Sequence, residues 1–300
     1  MTLSGPVTPE SVLRRLEWRV IRRLDGRLQG DYRTLLYGSG IDVADLREYE
    51  PGDDVRHIDW NVTAGMDTPY VRTYLEDRSL TAWLLLDRSA SMGFGPTDRP
   101  KDLVLTEVAA TLARLLVRGG NLVGAILYNN AVERTLAPRS SRNHVLRLTN
   151  ELLRPMLPVP KNGTATNLSD LFVAGARTIR RRSLVVIVSD FISEPGWEAP
   201  LALLSQRHEV VAIRLYDPRE NDLPDAGLIV IEDAETGELL SVDTSDVEFR
   251  RRFKAAAAER EAQTLAASRR AQVDLYSVST EEDLVSALVR IVDIRRRRRR

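Results

Sequence analysis

From Leu80 onward the chain alternates short, almost wholly apolar runs with longer stretches in which apolar residues recur every three or four positions. A continuous apolar run fits a strand buried on both faces, and the helical recurrence fits helices that cover it. The runs predict strands over Thr81–Leu86, Leu122–Tyr128, Leu184–Ser189, Val210–Leu215 and Val273–Val278. The recurrences predict helices over Lys101–Arg118, Ser141–Leu153, Leu168–Arg181, Ala199–Gln206, Val247–Arg270 and Glu281–Ile294. Two hairpins interrupt the alternation. One turns at Asn129-Asn130 before Val132–Leu136, and the other joins Leu228–Ile231 to Leu239–Val242 through Glu235-Thr236-Gly237. Two helix starts carry chemical marks: Thr280 with Asp283 has the pattern of a capping box, and Asp246 stands as N-cap before Val247. Strands and helices in this order predict an α/β fold with a doubly wound, mostly parallel sheet.

The beginning of the chain is patterned differently. Val12, Leu13, Leu16, Val20 and Leu24 form the apolar stripe of an arginine-rich amphipathic helix. Residues 38–79 then carry turn signals, among them Pro51-Gly52, between short extended pieces such as Tyr70–Leu75. We therefore divide the chain into an N-terminal helix and segment packed on the main domain (1–79), the α/β domain (80–294), and a basic tail (295–300) expected to fray.

Composition narrows the function. The 300 residues include 43% apolar side chains, enough for a real core. Lys+Arg and Asp+Glu each total 43, so no overall field draws the molecule to nucleic acid or membrane. The absence of cysteine removes thiol catalysis and thiolate metal sites and fits a reducing compartment. No apolar run approaches the roughly 20 residues that span a bilayer. The N-terminal sequence lacks a signal-peptide apolar stretch. A soluble, cytoplasmic protein is expected.

The stretch WLLLDRSASMGFG ends a buried run on Asp87 and follows it with Ser89 and Ser91. A second run, SLVVIVSDF, ends in the same way on Asp190. Ligands of open α/β sheets sit beyond the carboxyl ends of the strands, so parallel neighbouring strands would turn both carboxylates into one crevice. The loop KNGTATNLSDLF adds hydroxyls at Thr164 and Thr166. Carboxylates and hydroxyls without histidine or cysteine suit a hard divalent cation, Mg²⁺ or Mn²⁺, held octahedrally with several waters.

These residues resemble a known pattern. DRSAS fits the Asp-x-Ser-x-Ser of the metal-ion-dependent adhesion site of von Willebrand factor A-like domains, with Thr164 of GTAT and Asp190 of VSD in the later positions. Upstream, LREYEPGDDVRHIDW followed by VRTYLEDRS resembles the bacterial domain of unknown function 58 family, which carries an A-type domain after this segment. One departure is Phe191, where many adhesion-type A domains have glycine. The resemblance implies a metal-dependent protein-binding module and not an enzyme. Its metal residues would be Asp87, Ser89, Ser91, Thr164 and Asp190, with Mg²⁺ or Mn²⁺ as the ion, and a partner's Asp or Glu would complete the shell. It also implies a MoxR-type AAA+ ATPase as a candidate partner in protein maturation or remodelling.

The same residues admit rival readings. A metal-dependent phosphohydrolase using Asp87 is the alternative, but the position where haloacid-dehalogenase-type phosphatases carry their second aspartate is Ser89. In GDDVRHID, Asp53, Asp54, His57 and Asp59 read as a turn and a short strand with exposed charges, since a lone histidine lacks companions for a transition metal. His144 and His208 read as surface residues, and Trp60 and Tyr49 as residues packing the N-terminal segment down. The arginine groups 22–23, 180–182, 250–252 and 295–300 read as solvated helix faces, because no nucleic-acid recognition motif accompanies them.

Overall fold

The structure is a computed structural model that describes residues 8–16, 20, 24, 45–50, 53, 55, 58, 60–66, 68–73, 80–155, 166–232 and 238–298. Helix α1 (Pro9–Leu16) comes first, followed by β1 (Asp45–Glu48), the single turn α2 (Trp60–Thr63) and β2 (Tyr70–Thr73). The central part holds β3 (Thr81–Asp87), α3 (Lys101–Arg118), β4 (Leu122–Tyr128), β5 (Val132–Arg139), α4 (Arg142–Leu152), α5 (Leu168–Thr178) and β6 (Leu184–Ser189). It continues through α6 (Glu198–Arg207), β7 (Glu209–Tyr216), β8 (Leu228–Glu232), β9 (Leu239–Asp243), α7 (Val247–Arg270), β10 (Asp274–Ser279) and α8 (Leu284–Arg298).

A six-stranded sheet in the order β10-β7-β6-β3-β4-β5 forms the centre, parallel throughout except for β5, which pairs antiparallel with β4. The mixed α/β class and the mostly parallel sheet agree with the sequence pattern. Because side chains alternate along a strand, β3 sends Ala82, Leu84 and Leu86 into one core and Trp83 and Leu85 into the other. Helices α1, α3, α4 and α8 supply the first core, and α5, α6 and the end of α7 supply the second. Burial on both faces is why the strands read as unbroken apolar runs. Gly124 on β4 makes room for the indole of β3: a Cβ there would lie 2.8 Å from Cε3 of Trp83.

Several expectations need correction. The last helix does not end before the arginines: α8 runs to Arg298, and Arg295 is buried, donating to Glu209 Oε1 at 2.6 Å. Arg295 therefore belongs to the folded domain and not to a frayed tail; residues 299–300 lie outside the described residues. Thr280 does not cap α8, because its hydroxyl donates to buried Asp217 at 2.6 Å; Asp283 makes the capping contact, accepting from Ser286 N at 3.2 Å. His144 and His208 are buried, the former with Nε2 against the Val123 carbonyl at 2.8 Å. Trp60 is 68% exposed and so does not pack its segment down. Asp54, His57, Asp59, the Glu235-Thr236-Gly237 turn and the 22–23 arginine pair lie outside the described residues.

The stripe Val12, Leu13, Leu16, Val20 and Leu24 is buried in the first core, as its spacing predicts. Asp246 caps α7 by accepting from Glu248 N. Among the described residues no helix is long and apolar enough to cross a membrane.

Candidate functional site at the carboxyl edge of the sheet

The strand order runs one way from β3 through β4 and β5, and the other way through β6, β7 and β10. The crevice beyond the carboxyl ends of β3 and β6 is therefore the point where loops diverge to opposite sides, the usual place for a ligand. In the β3–β6 register Leu86 is opposite Val188, which carries Asp87 level with Ser189. The Ser189 hydroxyl donates to Asp87 Oδ2 at 2.6 Å, and the Ser89 N–H donates to Oδ1 at 2.9 Å. Asp87 is fully buried and held on both oxygens.

The loop after β3 turns at once into a 3₁₀ turn (Ala90–Gly93), which brings Ser91 back toward Ser89. Their Oγ atoms are 3.2 Å apart. On the β6 side, Asp190 lies close enough that its charge acts on Asp87. Asp190 Oδ1 accepts from Ile192 N at 2.9 Å. The backbone turns sharply here: Phe191 has φ +60°, in the left-handed region that favours glycine. Its ring is buried and meets Trp197 at a centroid distance of 5.4 Å, and Trp197 also meets Phe172 edge-on. Aromatic packing thus holds a side chain where the backbone alone would prefer none.

Of the five residues expected at a metal, the structure brings together Asp87, Ser89, Ser91 and Asp190; Thr164 lies outside the described residues. Thr166 is turned to another task, donating to Asn130 Oδ1 at 3.0 Å. Among the described residues no three of the His, Cys, Asp and Glu side chains are grouped to hold a metal. A cation here would rest on two carboxylates and on hydroxyls. The spacing suits one: neighbouring ligands of octahedral Mg²⁺ are about 2.9 Å apart, given bonds of about 2.0–2.1 Å, and the two serine oxygens stand at 3.2 Å. The charge suits one as well. Burial, and then the neighbouring Asp190, push the Asp87 carboxyl up to about 7, while hydrogen bonds from Ser189 and Ser89 pull it back only in part. Burial is the larger cause of that rise, and the like charge of Asp190 adds to it.

Nothing in the chain around Lys101 marks it as part of this site. This side chain, wholly buried at the start of α3, places Nζ 2.7 Å from Asp190 Oδ2 and 2.5 Å from Glu220 Oε1. Burial pushes its ammonium down, but the two carboxylates outweigh burial and hold it above its ordinary value. Glu220 sits just beyond β7 in a capping box with Asp217: its Oε2 accepts from Asp217 N at 3.0 Å. Asp190 and Glu220 also border a groove of roughly 420 Å³ between the loop after β6 and α7.

Fold and site together define an α/β protein that gathers acids and hydroxyls where its central strands end. The family follows from comparison. Residues 45–263 match the family described as "Protein of unknown function DUF58", and the chain belongs to it. An uncharacterized protein of Mycobacterium tuberculosis and one of Mycobacterium bovis are each 38% identical over 289 residues, covering 96% of this chain and 90% of theirs. Among solved structures, a conserved hypothetical protein, BatB, from Bacteroides thetaiotaomicron aligns with 73% of this chain and 100% of its own at 13% identity and a TM-score of 0.47. An aerotolerance-related membrane protein from Bacteroides fragilis aligns over the same shares at 18% identity, also with a TM-score of 0.47.

Proposed function

We propose that the chain is a divalent-cation-dependent protein-binding module, acting without turnover, whose residues 80–298 form a doubly wound von Willebrand factor A-like domain with a metal-ion-dependent adhesion site. The observation that carries this reading is the Asp87 carboxyl group, buried at the sheet edge and held on both oxygens beside a pair of serine hydroxyls at ligand spacing. Asp87, Ser89, Ser91 and Asp190, joined by Thr164 as the fifth residue of the resemblance, would hold Mg²⁺ or Mn²⁺. When bound, the cation supplies an electrophilic seat for a carboxylate from the partner. The hydrogen bonds from Ser189 and Ser89 fix Asp87, so the chain spends little ordering in presenting the site. A MoxR-type AAA+ ATPase is the candidate partner, in protein maturation or remodelling, on the strength of the family resemblance.

Pull-down of a MoxR-type ATPase from the same genome, with Mg²⁺ or with EDTA, tests the reading. Capture is expected with Mg²⁺, with loss on chelation and in Asp87→Ala while circular dichroism stays native. Capture indifferent to both would remove the metal from the interface. Asp190→Ala is the poorer probe because it also takes one of the two carboxylates from buried Lys101. Phosphomonoester hydrolysis that vanishes in Asp87→Asn would favour the phosphohydrolase instead.

A further inference from the structure

Lys101 is placed against local preference. It is the first residue of α3, where the helix dipole is positive and a cation is disfavoured. It is also wholly buried, which an ammonium tolerates only when paired. Neither helix formation nor solubility accounts for it; the two carboxylates at its tip do. One of these, Asp190, is near enough for its charge to act on Asp87, and the other, Glu220, is anchored to the turn after β7.

We propose that Lys101 is a built-in cation that sets the affinity of the site, holding Asp190 back from direct ligation, with Glu220 as the ammonium's second seat. The proposal rests on the cation-site reading above. A divalent ion beside Asp87 repels the ammonium and competes with it for Asp190. Glu220 eases that competition, because an ammonium drawn toward Glu220 releases Asp190. Lys101 thereby also links the cation to the loop after β7, one wall of the groove that Asp190 borders. It acts through Asp190 and is a positioning residue.

Removing Glu220 alone and removing it together with the ammonium predict shifts of opposite sign, which a purely structural role would not produce. The probe is Mn²⁺ alone, measured by calorimetry and by the electron paramagnetic resonance of the free ion, on the full chain. In Glu220→Gln the ammonium has only Asp190, and Mn²⁺ is expected to bind several-fold more weakly than in wild type. In the double variant Lys101→Met, Glu220→Gln, Asp190 is released with no second buried acid stranded, and binding is expected to tighten at least tenfold. Asp87→Ala must abolish binding in each background. Equal affinities in all three, each dependent on Asp87, would overturn the role of Lys101 and leave the cation site standing. Absence of Asp87-dependent binding in every variant would overturn the site itself and this proposal with it. Should the double variant fail to fold, Glu220→Gln decides alone: unchanged or tighter binding refutes the proposal.

Discussion

Asp87 holds opposing demands in one side chain. Its position at the end of β3 buries it completely, and its carboxyl is pushed up to about 7 from an unfolded value near 3.8. Between those values the folded chain binds a proton that the unfolded chain releases. Stability therefore falls as pH rises from about 4 to about 7, by up to about 1.4 kcal/mol per pH unit, and levels off above. Asp87→Asn removes this penalty, and Ser189 can turn its hydroxyl to accept from the new amide. In urea titrations without divalent ions, the variant should be more stable than wild type at pH 8 and equal to it at pH 4. A difference that does not change with pH would show that the carboxylate is compensated in a way these contacts do not provide. Phe191 shows the same competition in the backbone: a conformation suited to glycine is kept because the ring has Trp197 to pack against.

At the scale of elements, the end of α8 is the clearest revision. Six consecutive arginines look like a solvated tail, since nothing in the string separates the first from the last. Helical geometry does separate them. Arg295 lies one turn beyond Ile291 on the buried face, and its guanidinium reaches Glu209 at the start of β7. Truncation before Arg295 removes the guanidinium's contact with Glu209 at the amino end of β7. We expect a cost of about 1–2 kcal/mol for this part-buried charged contact, read as a melting temperature lower by about 2–8 °C. Truncation after Arg295 should cost less than half as much. Equal effects of the two would mean that helix length and not the Arg295–Glu209 pair stabilises this end. The hairpin β8–β9 pairs as the sequence predicts, but which of its apolar residues are covered was not legible there: Leu228, Val230, Leu239 and Leu240 are exposed, while Val242 is buried.

For the whole molecule, the proposed cation site would link ion binding to folding, because Asp87, Ser89, Ser91 and Asp190 converge only when β3 and β6 pair. An ion that binds this arrangement alone stabilises the fold by about 2.7 kcal/mol at a hundred times its dissociation constant. Thermal melts of wild type should shift upward with Mn²⁺ or Mg²⁺ and reach a logarithmic rise, and Asp87→Ala should show no shift. A shift of equal size in that variant would place the ion elsewhere.

Much of this molecule is determined locally and was legible in the string. The predicted limits of β4, β6, α3 and α7 coincide with those observed, because continuous apolar runs and helical stripes follow directly from burial and backbone period. The convergence of Asp87 and Asp190 was legible as a condition, that their strands be parallel neighbours, and the β3–β6 register meets it. What the tertiary structure alone decided are the long-range polar pairings. Lys101 meets Asp190 and Glu220, Thr280 meets Asp217, and Arg295 meets Glu209, each across a wide separation in sequence. A charged residue carries no mark of burial in its own neighbourhood. Whether it is solvated or enclosed depends on which distant carboxylate the folded sheet brings within hydrogen-bonding distance, and only the assembled packing fixes that.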